Sequence, residues 1–231
     1  MIMDKVVWLV AGNKGGAGKS AVAKTLIGWL RGQPVPVIVV EGDARTADVA
    51  RAFEDSLAVT RFRLDEEAGW REYCDFIGAH RIVGHVVTNM PDGLTDKAID
   101  FLARFQAVAE AHGFTVKVLF VMNALPDGLH LLPDLKRAVR EVFPVKNLHF
   151  GSPSKFRHFD DAYGSDYGDE TVLFPGLNPN IMTVARESGL AFDGFIRNRT
   201  NTPTNFMYAR IAVSAWYADA CEAFDDVLYG N

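Results

Sequence analysis

The sequence predicts an α/β fold, a mostly parallel twisted sheet with helices on both faces. Short β-rich apolar runs alternate with stretches of helical periodicity through the 231 residues. The longest of these runs are continuously apolar rather than alternating, as strands buried on both faces are. The first run also passes through a glycine-rich segment directly into a helical pattern, the start of a strand–loop–helix unit.

Taken in order, Val6, Val7, Trp8, Leu9 and Val10 form the first strand. Ala21, Ala23, Leu26, Ile27 and Leu30 recur at helical spacing and place a helix over 19–31. Further strands are expected at 35–40, 82–88, 116–122 and 145–150, with a short one near 172–174. Helices are expected at 68–79, 96–112 and 131–142. Thr95 is a suitable N-cap for the third helix and Gly113 a stop. Pro133 confines the start of the fourth, because proline is tolerated only in a first turn. Residues 151–170, rich in Ser, Asp, Tyr and Gly, read as a long loop of the kind that often carries function. The last element runs over 204–228, where Phe206, Ala209, Val213, Trp216, Tyr217, Ala220, Phe224 and Leu228 share one face. Its Asp219, Glu222, Asp225 and Asp226 are unlike a basic lipid-binding helix, so core packing is expected and membrane attachment is not.

With 48% hydrophobic and 23% charged residues, the chain reads as one globular domain over 1–231. Linkers, low-complexity tracts and repeats are absent from the sequence. A net charge of −5 argues against a strongly basic nucleic-acid binder and leaves room only for a local patch. Cys74 and Cys221 lie far apart and read as buried free thiols of a cytosolic protein. The six histidines, at 80, 85, 112, 130, 149 and 158, show no metal-ligand spacing. No signal peptide or membrane span is expected, which points to a cytoplasmic protein.

Chemistry concentrates in Lys14-Gly15-Gly16-Ala17-Gly18-Lys19-Ser20. Its glycines let backbone N–H groups turn toward phosphate oxygens, and the helix behind them adds its positive end. Lys19 is placed to reach β- and γ-phosphates, and the Ser20 hydroxyl to bind Mg²⁺.

A second lysine at the front, Lys14, makes the loop resemble the deviant Walker A motif of the ParA/MinD family of P-loop ATPases. The resemblance implies ATP or ADP with Mg²⁺ as ligands, held by Asn13, Lys14, Gly15, Gly16, Ala17, Gly18, Lys19, Ser20 and Ala21. It makes Lys14 a lysine that reaches the partner's nucleotide across an ATP-dependent homodimer. Asn13 stands where the family's loop opens with glycine; asparagine tolerates turn geometry. The run Glu41-Gly42-Asp43 parallels the family's Asp-x-Asp, which maps Asp43 onto the switch aspartate near the attacking water and the metal. Asn89-Met90-Pro91-Asp92-Gly93 parallels Asp-Thr-Pro-x-Gly, with Asn89 in place of the Walker B aspartate. Either Asp92 or Asp43 supplies the missing carboxylate, or ATP is hydrolysed slowly. For the base, Asn147 is a contact and Pro175 a wall.

The function this implies is a dimerising Mg²⁺·ATP-dependent switch that positions cargo, either plasmid DNA in partition or a conjugative mobilisation complex. A protein adaptor is the expected partner, with DNA contact indirect. Two alternatives stand beside it. One is a P-loop kinase acting on a small molecule, with Asp43 as base, which Lys14 and the absence of an Arg-rich lid disfavour. The other is a nucleotide-binding partner protein with little turnover, for which Asn89 argues.

Overall fold

In the computed structural model, residues 5–12, 14–43, 46–79, 84–198 and 204–228 are described. The strands are β1 (Lys5–Gly12), β2 (Val37–Glu41), β3 (Ala58–Arg61), β4 (His85–Asn89), β5 (Phe114–Met122), β6 (Glu141–Asn147) and β7 (Val172–Phe174). They form one sheet in the order β3-β2-β4-β1-β5-β6-β7, and each neighbouring pair is parallel. The helices are α1 (Lys19–Leu30), α2 (Asp48–Phe53), α3 (Glu67–Ala79), α4 (Asp96–Ala111), α5 (Leu132–Ala138), α6 (Arg157–Tyr167), α7 (Pro179–Glu187), α8 (Phe192–Arg197) and α9 (Thr204–Leu228).

The continuous apolar run of β1 has a direct cause. Val6, Trp8 and Val10 face one core layer with Leu26 and Ile27 of α1 and Val213, Trp216 and Phe224 of α9. Val7, Leu9 and Ala11 face the other, with Tyr73 of α3, Phe105 of α4, Leu132 of α5 and Phe159 of α6. Both sides of the strand are covered, so neither can be polar. Asp219, Glu222 and Asp226 of α9 are exposed, away from this buried stripe, while Asp225 sits at its edge and accepts from Trp29 Nε1 at 3.1 Å. Trp216 Nε1 donates to the Pro175 carbonyl at 2.8 Å, and its ring meets Phe174 and Phe192 edge-on.

Several boundaries differ from the sequence expectation. The helix expected over 131–142 stops at Ala138, because Val139 is extended (φ −133, ψ 134). Strand β6 therefore begins at Glu141 rather than 145 and ends at Asn147. Pro144 is accommodated inside it: it pairs opposite Phe120, one position before β7 joins at Val145. The segment expected to be a long loop carries α6, where Phe159 and Tyr167 are buried and Tyr163 packs beside them. Its period was hidden by the polar residues between these rings. The expected start of β4, residues 82–83, lies outside the described residues. Both cysteines are half-buried rather than buried.

Candidate phosphate-binding site

The glycine-rich loop leaves the carboxyl end of β1, the sheet's central strand, and enters α1 at Lys19. Ligands of open parallel sheets bind at this end of the strands. Gly18 caps α1 in the left-handed conformation (φ 97), with no side-chain cap and no acidic residue in the first turn. The helix therefore presents free N–H groups and an uncompensated positive end, which suits an anion. Gly18 is fixed by space as well as by φ, since a Cβ there would lie 2.2 Å from Asn147 Nδ2.

A cavity of about 300 Å³ opens beside the loop. Its lining includes Gly16, Gly18, Lys19, Ser20 and Ala21 from the loop and helix start, and the apolar Phe174, Pro175, Leu177, Met182 and Trp216. Polar, charged and apolar lining together suit a ligand that joins phosphates to a ring. Of the residues singled out from sequence, Gly16, Gly18, Lys19, Ser20, Ala21, Asn147 and Pro175 line this cavity; Lys14, Gly15, Ala17 and Asp43 do not. Asn13 lies outside the described residues. Lys24, Asp48 and Arg186 also line the cavity. The sequence carried no signal for Arg186, because α7 was not expected.

Asn147 is buried, and both ends of its amide are engaged by the protein. Its Nδ2 donates to the Ala17 carbonyl at 2.9 Å, and its Oδ1 accepts from His149 N at 3.1 Å. It braces the loop against β6, leaving one amide hydrogen for a base.

Lys19 is buried to 5% exposure, and its Nζ donates to Asp92 Oδ1 at 2.5 Å. Lys14 points elsewhere. Its ammonium meets Asp127, in the segment after β5, at 3.0 Å, with both side chains about half exposed (47% and 54%).

At the neighbouring strand ends, Glu41 is 2% exposed. Its Oε1 accepts from Asn89 Nδ2 at 2.8 Å and from Asp43 N at 3.2 Å. Its Oε2 accepts from Ala50 N in α2 at 3.1 Å. Burial pushes the Glu41 carboxyl above the ordinary carboxylate range, while these donors pull it back. Asn89 Oδ1 is buried without a hydrogen-bond partner among the described residues. Asp43 is buried at the end of this group and accepts from Thr46 Oγ1 at 3.0 Å.

Among the described residues, no group of three or more His, Cys, Asp or Glu side chains is placed to hold a metal ion. No helix among the described residues is long and apolar enough to cross a membrane.

No family model matches the chain. Among curated proteins, MobD of Acidithiobacillus ferrooxidans is 27% identical over 192 residues, covering 76% of this chain and 79% of that protein. Among solved structures, the septum site-determining protein MinD of Pyrococcus horikoshii, complexed with Mg-ADP, superposes with a TM-score of 0.58. That match has 15% identity and covers 99% of this chain and 98% of the other. A ParA family ATPase of Chlorobium tepidum gives 0.54 at 12% identity, over 93% of this chain and 98% of the other. At these identities the structural likeness is one of fold.

Proposed function

From a chain whose fold is that of the ParA/MinD-type P-loop ATPases, we propose a Mg²⁺·ATP-dependent dimerising ATPase switch. The observation that carries this reading is the division of labour between the two loop lysines. Lys19 is buried and lines a cavity that has both polar and apolar lining residues, as a cation for phosphate must. Lys14 stands outside, held only by an exposed pair that contributes about 0–1 kcal/mol. It is therefore free to exchange Asp127 for the phosphates of a second copy's nucleotide.

In this reading the backbone from Asn13 to Ala21 cradles the phosphates, and Asn147 and Pro175 border the base. Ser20 and Asp43 stand on the metal side, Ser20 as ligand and Asp43 toward the attacking water. Magnesium, when bound, neutralises charge on the phosphate oxygens. Asn89 brings no charge to that side, which makes hydrolysis slow and dependent on a stimulating partner. The cargo is plasmid DNA or a conjugative mobilisation complex. The net charge of −5 is consistent with a protein adaptor making the DNA contact, in a cytoplasmic setting.

Replacing Lys19 by Ala removes the buried cation under the β- and γ-phosphates. ATP affinity measured by titration calorimetry falls by at least about tenfold, the loss of one charge-assisted contact. Unchanged affinity would refute the site.

A further inference from the structure

Resting on that reading of the cavity, we propose that Asp92 is an intramolecular anion that competes with nucleotide phosphate for Lys19. Bound nucleotide thereby displaces the 91–93 segment.

The carboxylate lies across the phosphate loop with both oxygens placed. Oδ1 accepts from Lys19 Nζ at 2.5 Å. Oδ2 lies over Gly15, 3.1 Å from where a Cβ on that glycine would be. The two partners differ in freedom: the Lys19 side chain is 6% exposed and that of Asp92 44%. Lysine is thus the fixed element, and aspartate reaches in from a loop. Both line the cavity that Ser20 and the start of α1 also line. The ammonium has three donors, but a carboxylate and a phosphate brought to it together repel each other at contact range, so each weakens the other's hold.

The segment is built to yield. Met90 N donates to the Val10 carbonyl at 3.0 Å, and Leu94 N to the Gly12 carbonyl at 3.3 Å. These bonds pin its two ends to β1 and leave Pro91, Asp92 and Gly93 between them. Gly93 turns in the left-handed region (φ 72), with nothing within 4 Å of its Cβ direction. Beneath the segment lies a second cavity of about 140 Å³, lined by Leu64, Met90, Leu94 and Phe101 among others. A phosphate arriving at Lys19 releases Asp92 and lets this segment move. The contact therefore couples occupancy of the cavity to the surface around Pro91–Gly93.

The test measures binding of ATP to the full chain, with Mg²⁺ and separately in EDTA, for wild type, Asp92→Asn, Asp92→Glu and Lys19→Ala. Asp92→Asn keeps the shape and removes the competing charge. It is expected to bind ATP about two- to fivefold tighter in both conditions, the upper part of the range for a partly exposed ion pair. Asp92→Glu, which retains the charge, stays near wild type. Equal affinity of Asp92→Asn and wild type overturns the proposal. So does weaker binding by Asp92→Asn in Mg²⁺ alone, which would make Asp92 a metal-side group. If Lys19→Ala binds as tightly as wild type, or wild type binds no ATP, the nucleotide reading itself falls and takes this proposal with it.

Discussion

Asn89 and Glu41 are 48 residues apart in sequence, yet the Asn89 amide donates to the Glu41 carboxylate in a buried pair. Along the chain they read as two separate departures from a family pattern. The pairing of β2 with β4, in which Glu41 sits opposite Asn89, makes them one unit. The negative charge of this site therefore resides on β2, and the amide on β4 neutralises nothing but satisfies an acceptor. Replacing Asn89 by Asp places a second carboxylate against Glu41 and leaves Glu41 Oε1 short of a donor. The variant is expected to lose about 2–4 kcal/mol of stability near neutral pH in urea unfolding. The sign with pH follows from the pair's raised affinity for a proton, a direction burial already gives Glu41. A group whose folded pKa is raised supports the fold fully below its unfolded value, and that support is lost as pH rises through the folded value. The deficit of Asn89→Asp thus shrinks toward pH 4 and grows toward pH 8; a pH-independent deficit would contradict the pairing.

The junction of β1, the glycine loop and α1 was legible because its chemistry is local. The spacing of glycines, the lysines and the following helical period all sit within one short stretch, and α1 starts at Lys19 as the period predicts. Helix α4 was legible for the same reason, with Thr95 accepting from Ala98 N at 3.2 Å as its cap. Short or edge elements were not. Strand β3 is four residues long and only partly buried, so it carries no apolar run. Helices α7 and α8 are nine and six residues long and lie against α9. Asn147, which the sequence offers as a base contact, also donates to the Ala17 carbonyl and so grips the loop. This grip gives a prediction at Gly18. A Gly18→Ala variant forces a left-handed alanine against Asn147 Nδ2, at a cost of about 1–3 kcal/mol from strain alone. It is expected to lower thermal stability and weaken ATP binding together. Retention of both would mean that the loop is not held as described.

Across the whole molecule, the sheet order places β1 at the centre, with apolar layers on both faces and its carboxyl end free to carry the site. The alternation of apolar runs with helical periods made this architecture readable, since a strand covered on both sides has to be apolar throughout. What a second copy contributes is not written in one chain's packing. It rests on Lys14, exposed and only weakly held by Asp127. The most direct test is the solution mass by light scattering, with and without Mg²⁺·ATP, for wild type and Lys14→Ala. The proposal predicts that wild type doubles from 25.5 kDa on adding Mg²⁺·ATP. Lys14→Ala is expected to bind ATP with similar affinity and stay monomeric. Wild type that binds ATP and remains a monomer, or Lys14→Ala that dimerises normally, would contradict a switch closed by that lysine.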